Sequence, residues 1–292
     1  SAKFLDASLK GAAHPAASHD LSELRTICST GSPLSVEGFE FVYEKIKSDV
    51  HLASISGGTD LCGSLVLGDP TRPVYAGQIQ GPALGVAVDV WDAQGRSLKD
   101  DPQERGELVC TMAFPSMPLG FWDDPTGDRY NAAYFERFEG VWAQGDFASW
   151  TDHGGIVIHG RSDATLNAGG VRIGTAEIYR QVDQLPQVQE SLAVGQAWDD
   201  DTRIVLFVRL MQGQTLTEEL VGEIKIRLRD NCSPRHVPSR LVAVDDLPRT
   251  RSGKLAELAV ADVINGRVVR NSEALANPES LLLFENLAEL SS

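Results

Sequence analysis

The segment 160–174 contains the residue types best suited to holding a charged or hydroxylated ligand. It has two arginines, Arg161 and Arg172, one aspartate, Asp163, and four glycines. Glycine lets the backbone approach a ligand closely, and the forked guanidinium groups of arginine donate to phosphate or diol oxygens. A solvated turn with surface arginines has the same composition. Two interpretations therefore stay open at this point, a ligand-binding loop and an ordinary turn.

A predicted strand and a predicted helix flank this segment. Residues 156–159 are rich in β-branched side chains and lie between glycines, which is typical of a short strand. Thr175 can cap a helix, and Glu177 then lies in the first turn, where the helix dipole favours an anion. Three apolar side chains share one face of this helix, namely Ile178, Val182 and Leu185. We expect these two elements to hold the segment at both ends.

The chain just before this segment predicts a β-hairpin. The strand-like residues 147–150 and 156–159 flank the turn 151–155. Because equal arms of a hairpin bring their open ends together, Asp146 and Arg161 should lie near each other. A carboxylate that accepts two hydroxyls, beside a guanidinium that donates to the same group, would suit a ribose. A salt bridge that merely closes the hairpin is the alternative.

A basic turn near the C-terminus ends in Lys254. It places three cations within residues 249–254 of a chain whose net charge is −15. Such a loop could deliver an ammonium group to a phosphate. It is not a P-loop, because that motif needs glycine where Pro248 stands and serine or threonine where Leu255 stands. An exposed charged turn is the alternative.

Length and composition limit the class of protein. A chain of 292 residues with 42% hydrophobic and 23% charged residues predicts about two globular domains. The net negative charge argues against nucleic acid and anionic membranes as partners. The four cysteines lack metal-binding spacing and predict free thiols in a reducing compartment: Cys28, Cys62, Cys110 and Cys232. With no membrane-length apolar run and no signal-peptide pattern, the expected location is cytoplasmic.

The first part of the chain alternates strand, helix and strand. Residues 24–28 and 50–55 read as strands, and residues 36–46 between them have helical spacing. Polar turns follow both strands, at 29–33 and at 56–60, and ligands bind at such carboxyl ends in open α/β sheets.

From about residue 74 the pattern changes to β. Residues 86–91 and 106–110 predict antiparallel strands, which suggest a small β-barrel-like subdomain attached to the α/β body.

A second domain is predicted after Asp163. Five elements follow in it: a helix over 175–185, strands over 190–194 and 203–210, a helix over 217–230, and a strand over 241–244. The predicted domains are residues 1–162 and residues 163–292.

Five short motifs together resemble the acyl-adenylate-forming enzymes. That superfamily includes acyl-CoA synthetases, peptide-synthetase adenylation domains and firefly-type luciferases. The motifs occur in the family's order and spacing between about Arg25 and Lys254: Thr59-Asp60, Gly145-Asp146, 160–163, 170–173 and 248–254. Within the superfamily, residues 253–258 and the tail 271–279 are most similar to acetoacetyl-CoA synthetases.

The resemblance implies a fold and a reaction. The fold would be α/β, the remnant of a large α/β domain with its β-barrel-like subdomain, plus a small mobile α+β C-terminal domain. The reaction would be the ATP-dependent ligation of acetoacetate to CoA through an acetoacetyl-adenylate, with release of AMP and pyrophosphate. This is an activity of fatty acid and lipid metabolism. The alternatives are another short- or medium-chain acyl-CoA synthetase and a non-catalytic, truncated adenylate-binding domain.

The resemblance also implies a nucleotide site. The loop Gly31, Ser32 and Pro33 would lie beside the adenine, and Thr59, after Gly58, would donate to the α-phosphate. Asp60 stands where the family usually has a glutamate near Mg²⁺. The remaining nucleotide ligands would be the ribose-binding pair Asp146 and Arg161 and the phosphate-binding Arg172.

Further roles follow from the same resemblance. Asp163 would be the hinge between the domains, Gly170 would lie along the pantetheine tunnel, and Arg229 would face the CoA phosphates. Lys254 would be the adenylation lysine, a target of reversible acetylation, so that a protein lysine acetyltransferase and a deacetylase would be partners. Gly57 replaces the tryptophan that closes the acyl pocket of acetyl-CoA synthetases and should leave that space open.

The family's N-terminal phosphate loop has no counterpart in the sequence. We therefore expect the missing N-terminal portion of the enzyme to be a partner and the isolated fragment to be inactive in adenylation.

Overall fold

The computed structural model describes residues 1–102, 104–168, 171–199, 201–251, 253–269 and 272–291. The chain divides into two compact units, Ser1–Ser162 and Asp163–Ser292.

The first unit combines short helices with three sheets. Its helices are α1 (Ala2–Lys10), α2 (Pro15–Ser18), α3 (Val36–Phe41), which continues as a π-helical turn (Val42–Ile46), and α4 (Asp128–Tyr134). Its strands are β1 (Thr26–Ser29), β2 (His51–Ser54), β3 (Ser56–Gly58), β4 (Gly63–Leu67), β5 (Gly81–Pro82), β6 (Val88–Trp91), β7 (Gly106–Cys110), β8 (Trp142–Trp150) and β9 (Ile156–Arg161).

The predicted strand–helix–strand unit is confirmed. Strands β1 and β2 pair in parallel, with Ile27 opposite Leu52, and α3 connects them. Leu52 and Phe39 of α3 are buried in one apolar cluster with Leu5 of α1. Because the strands are parallel, the segments that follow β1 and β2 leave the same edge of the sheet.

The segment after β2 differs from the predicted turn. Residues 56–58 form the short strand β3, antiparallel to β4, and the turn covers residues 59–62 instead. Glycine permits this pairing, because a Cβ added to Gly57 would overlap the carbonyl oxygen of Gly63 on the neighbouring strand.

The predicted antiparallel strands form an open sheet. Strands β6, β7, β8 and β9 lie in chain order, each antiparallel to the next. Within the described residues the edge strands β6 and β9 do not pair with each other, so the small β-barrel-like unit expected from the sequence is a four-stranded sheet with two edges. Its buried side chains include Leu108, Trp142 and Ile156.

Within the described residues the second unit contains a three-stranded sheet with helices on both faces and a separate two-stranded sheet. Its strands are β10 (Leu166–Ala168), β11 (Val171–Ile173), β12 (Val188–Trp198), β13 (Asp201–Leu210) and β14 (Arg240–Ala243). Its helices are α5 (Thr175–Val182), α6 (Glu218–Asn231) and α7 (Glu257–Ile264), with 3-10 turns at Pro234–His236, Ser272–Ala274, Pro278–Phe284 and Ala288–Leu290. Strand β13 pairs antiparallel with β12 and parallel with β14.

Alternation along β13 explains the two helical layers. Leu206 packs in the cluster that contains Ile178 of α5 and Ile224 of α6. Phe207, the next residue, packs in the cluster that contains Val260 of α7 and Phe284. Successive side chains of a strand point to opposite faces, so one apolar strand supplies both cores.

Two local predictions differ from the structure. The N-cap of α5 is Gly174 and not Thr175, and Gly174 N donates to Glu177 Oε1 at 3.3 Å. Helix α7 has no counterpart among the predicted elements.

In the part of the chain that the structure describes, no helix is both long enough and apolar enough to span a bilayer.

Cysteine alkylation tests the burial of the four-stranded sheet. Cys110 is 2% exposed, and burial raises the pKa of its thiol to about 12. At pH 8 only about one thiol in ten thousand would then be the reactive thiolate. Iodoacetamide should therefore modify the exposed Cys28 and Cys62 in the folded chain and leave Cys110 unmodified, as read by mass spectrometry.

The urea-unfolded chain provides the control, in which all four cysteines should react. Modification of Cys110 in the folded chain at the rate of Cys28 would contradict this packing.

Candidate nucleotide-binding site

The open end of the β8–β9 hairpin brings the predicted carboxylate and guanidinium together. Asp146 lies directly opposite Arg161 in the strand register, and Arg161 Nη1 is 3.4 Å from Asp146 Oδ1. The prediction that these two side chains lie near each other is confirmed. Ser56 Oγ donates to the other carboxylate oxygen at 3.3 Å, and Arg161 Nη1 also donates to the carbonyl of Gln144 at 2.8 Å. Asp146 is buried, whereas the Arg161 side chain is 45% exposed.

A glycine makes room for this guanidinium. Gly145 has a φ of +81°, a conformation that side chains with a Cβ rarely adopt. A Cβ at that position would also collide with the Arg161 guanidinium. Gly145 is therefore needed for the packing of the Arg161 guanidinium, in addition to being part of the Gly145-Asp146 motif.

A buried carboxylate accepts hydrogen bonds from residues of both arms at the open end of the β8–β9 hairpin. Glu107 of β7 is 1% exposed, and its Oε1 accepts from Gly145 N at 2.8 Å and from Ser162 Oγ at 3.0 Å. Its Oε2 accepts from the Arg137 guanidinium. Burial raises the pKa of Glu107, opposed by these hydrogen bonds and by the positive charge of Arg137. Glu107 thus fixes the residues that immediately adjoin Asp146 and Arg161.

The turn between β3 and β4 carries the next predicted residues. Thr59 and Asp60 are both exposed there. The Tyr134 hydroxyl of α4 donates to Asp60 Oδ2, and burial followed by the nearby Asp60 charge raises the pKa of Tyr134. Tyr134 therefore stays protonated as a donor. Its ring stacks on Trp142 with centroids 3.7 Å apart. The Tyr134 hydroxyl, whose ring stacks on Trp142, therefore positions the Asp60 carboxylate.

Gly57 lies against the backbone of the neighbouring strand β4. We expected the missing tryptophan to leave an open pocket, but a Cβ at this position would point at the backbone of β4. Gly57 is required by the close approach of β3 and β4.

The predicted adenine-side loop follows β1. Gly31, Ser32 and Pro33 leave the same edge of the parallel pair that leads through β2 to Ser56. Gly31 has a φ of +97° and open space around it. Position and strand order therefore place this loop on the edge from which the Asp60 turn also starts.

The basic turn of the second unit separates its cations. Gly253, with a φ of +84°, donates from N to the Thr250 carbonyl at 2.8 Å, and Thr250 N donates to the Lys254 carbonyl at 2.8 Å. Arg249 forms a forked ion pair with Glu190 of β12. Lys254 is exposed, and the described residues provide no ion-pair partner for its ammonium group. Arg249 anchors the turn, and Lys254 projects from it.

The other residues predicted for the site belong to the second unit, and one of them lies outside the described residues. Asp163 is its exposed first residue, and Arg229 is exposed in the last turn of α6. Arg172 lies in β11, opposite Asn167 of β10. Gly170 lies outside the described residues.

Three residues of the site were not singled out from the sequence: Glu107, Tyr134 and Gln144. A charged residue inside the otherwise buried strand Gly106–Cys110 is a signal for Glu107, because a carboxylate in a core strand needs partners. The sequence offers no comparable signal for the other two.

Part of the second unit matches a known domain family, and the fold resembles solved ligases. Residues 180–254 match the family of AMP-binding enzyme C-terminal domains. An anthranilate CoA ligase in complex with anthranoyl-AMP aligns with a TM-score of 0.70 at 22% identity, over 87% of this chain and 47% of its own. A benzoate CoA ligase from Burkholderia xenovorans aligns with a TM-score of 0.67 at 23% identity, over 81% of this chain and 45% of its own. The predicted α/β fold is confirmed as the fold of these ligases.

More similar proteins are acetoacetyl-CoA synthetases. The one from Rhizobium meliloti is 64% identical over all 292 residues, which are 44% of its length. The one from Danio rerio is 44% identical over 278 residues, 94% of this chain and 41% of its own. The structure from Streptomyces lividans aligns with a TM-score of 0.90 at 41% identity, over the whole of this chain and 45% of its own. The resemblance read from the motifs is confirmed, and the chain spans less than half the length of these relatives.

The titration of Glu107 provides a test of the site's buried support. A carboxyl group whose pKa is raised by folding stabilises the folded chain most below its unfolded pKa of about 4.3, and loses that contribution as the pH rises through the folded value. Glu107→Gln removes this titration. The fall in unfolding free energy of the wild type above pH 4.3 should therefore be smaller in the variant, as measured by urea unfolding with tryptophan fluorescence between pH 4 and pH 7.

The exposed Glu104 provides a matched control, and Glu104→Gln should retain the wild-type pH dependence. A Glu107→Gln profile that parallels the wild type would rule out a raised pKa at this position.

Proposed function

We propose that this chain is the C-terminal part of an acetoacetyl-CoA synthetase. The enzyme joins acetoacetate to CoA in two steps, first forming an acetoacetyl-adenylate and pyrophosphate from ATP, then releasing AMP. The observation that carries the proposal is 64% identity to such an enzyme over every residue of the chain. The paired carboxylate and guanidinium at the hairpin end support it, since their chemistry suits the ribose of a nucleotide.

In the proposed site Asp146 accepts hydrogen bonds from two ribose hydroxyls. Its present partners, Ser56 and Arg161, bind one carboxylate oxygen each and hold the carboxylate in one orientation. The exposed guanidinium then donates to the same sugar. The loop 31–33 lies on the adenine side.

The turn at Thr59 and Asp60 receives the phosphates. Thr59 is exposed and supplies a hydroxyl donor for the α-phosphate. Asp60 fits Mg²⁺ chemically, because this ion is usually held by one or two carboxylates together with substrate phosphates. Bound there, Mg²⁺ would offset charge on the phosphate oxygens. Tyr134 orients the carboxylate that holds it.

Lys254 supplies the positive charge of the first step. A carboxylate oxygen of acetoacetate attacks the α-phosphorus, and the bond to the pyrophosphate oxygen breaks. Two anions approach each other in this step, and an ammonium group beside the phosphoryl oxygens offsets their repulsion. In the second step the CoA sulfur attacks the acyl carbon and the bond to AMP breaks. That step does not need Lys254.

The second unit would move between the two steps. We propose that it rotates about Asp163 and replaces the Lys254 turn at the active site by the segment 166–174. Arg172 then contacts the nucleotide phosphate, Gly170 adjoins the pantetheine arm and Arg229 faces the CoA phosphates.

The cellular setting is part of the same proposal. The relatives carry more than half of their length outside the matched span, and we propose that adenylation requires that portion as well as this chain. The enzyme acts in the cytoplasm, in fatty acid metabolism. An acetyltransferase and a deacetylase regulate it at Lys254, because acetylation removes the charge that the first step needs.

Asp146→Asn tests the nucleotide site. An amide both donates and accepts, so it cannot keep Arg161 and two ribose hydroxyls on one group. AMP binding, measured by titration calorimetry with the complete enzyme, should weaken about tenfold or more. Asp152→Asn, at the exposed opposite end of the same hairpin, should bind as the wild type does. Equal affinity in both variants would reject the ribose assignment.

Lys254→Ala tests whether Lys254 acts in the first step and not in the second. In the complete enzyme the variant should lose pyrophosphate release from ATP and acetoacetate, yet still convert supplied acetoacetyl-adenylate and CoA to product. Lys225→Ala, in the same unit, provides the control. Loss of both half-reactions would contradict the role given to Lys254.

A substrate panel on the wild-type enzyme tests the acyl specificity. Equal rates of pyrophosphate release with butyrate and acetoacetate would reject acetoacetate as the specific substrate and would indicate an enzyme for short-chain acids in general.

A further inference from the structure

Gln144 lies in β8 two residues before Asp146, with a side chain that the nucleotide site described above does not use. It is 7% exposed, and its Oε1 accepts from Trp142 Nε1 at 2.8 Å. The indole nitrogen can only donate, so the amide oxygen must face it. The amide nitrogen, Nε2, therefore points the other way. The Trp142 contact thus determines the orientation of the amide.

The amide nitrogen points at the phosphate-side turn. Gln144 Nε2 lies 2.8 Å from the position that a Cβ on Gly58 would occupy, and the Asp60 carboxylate borders the same position. Gly58 is the last residue of β3, immediately before Thr59. The two N–H donors of Nε2 thus lie beside the backbone that carries both predicted phosphate-side residues.

This donor has no partner in the described part of the chain. The hydrogen bond from Trp142 is made to the oxygen, and no acceptor among the described residues is bonded to Nε2. An amide nitrogen that is oriented by Trp142, lies beside the Gly58–Asp60 turn and has no acceptor among the described residues is suited to a ligand oxygen.

The rest of the residue is fixed from two sides. The Gln144 carbonyl accepts from Arg161 at 2.8 Å, so its backbone helps orient the ribose-side guanidinium. Trp142, which holds the side chain, is itself stacked on Tyr134, the residue that donates to Asp60. Gln144 therefore connects the ribose side of the site to its phosphate side, and its amide lies in a preset position.

We propose that Gln144 is a ligand-binding residue of this site. Its Nε2 donates a hydrogen bond to an oxygen at the junction of the acyl group and the α-phosphate, beside the Gly58–Asp60 turn. The oxygen belongs either to the phosphate or to the acyl chain, and both present the same acceptor chemistry. The assignment rests on the proposed function.

Two variants separate hydrogen bonding from packing. Gln144→Glu keeps an oxygen for the Trp142 indole and removes the donor, whereas Gln144→Met keeps the length and removes both. Gln94→Met, in an exposed turn of the same unit, is the matched control. Near-ultraviolet circular dichroism and the melting temperature report whether each variant retains the packing around Trp142.

Binding is measured by calorimetry on the complete enzyme with three probes: AMP, and the sulfamoyl-adenosine analogues of acetoacetyl- and butyryl-adenylate. Both Gln144 variants should bind at least one probe about tenfold more weakly than the wild type, while Gln94→Met is unchanged. Weakening with AMP identifies a phosphate oxygen. Weakening with the acyl analogues alone identifies an acyl oxygen, and weakening confined to the acetoacetyl analogue identifies its 3-keto oxygen.

Three results would overturn the proposal. If the wild type binds the probes and both folded variants bind them equally well, Gln144 only packs and this proposal is wrong. If the wild type binds no probe, the proposed function fails first and the Gln144 assignment fails with it. A loss in Gln144→Met alone, with Gln144→Glu binding normally, would also reject the donor role.

Discussion

The candidate site depends on one strand register. Pairing of β8 with β9 places Asp146 opposite Arg161, and a slip by one residue would turn one of the two side chains to the other face of the sheet. The buried pairs Ala148 with Ile158 and Trp150 with Ile156 hold the register of the hairpin, and a bulge between Phe147 and Ala148 then sets Asp146 opposite Arg161. The hydrophobic pattern of a hairpin therefore fixes the distance between a carboxylate and a guanidinium.

Buried polar residues stabilise the end of this hairpin. Glu107 reaches it from β7 and accepts from Gly145 and Ser162, the neighbours of the charged pair. Burying a carboxylate is unfavourable without such partners, and here the backbone N–H, the hydroxyl and the Arg137 charge provide them. The support therefore acts on the residues that adjoin Asp146 and Arg161.

The sequence predicted those features that depend on local pattern. The hairpin followed from two alternating runs around a glycine turn, and the elements of the second unit followed from hydrophobic spacing between 175 and 244. Equal arms predicted that Asp146 and Arg161 lie near each other, but their direct opposition also depends on a bulge between Phe147 and Ala148 that the sequence did not indicate. The strand β3 was predicted as a turn, because Ser56–Gly58 has neither length nor apolar side chains. Its pairing is set by close backbone approach, which a sequence does not express.

Contacts distant in sequence account for the other differences. Glu107 and Gly145 are 38 residues apart, and Tyr134 and Asp60 are 74 residues apart. No local pattern joins such residues. The close approach of β4 to Gly57 was missed for the same reason, since the neighbouring strand could not be located from composition.

The ion pair between Arg249 and Glu190 restricts how Lys254 can travel. It fastens the base of the turn to the central sheet of the second unit, five residues before the ammonium-bearing side chain. The flexible four-carbon stem of the lysine lies beyond this anchor. Any larger movement of this positive charge requires the turn to move together with the strand that carries Glu190.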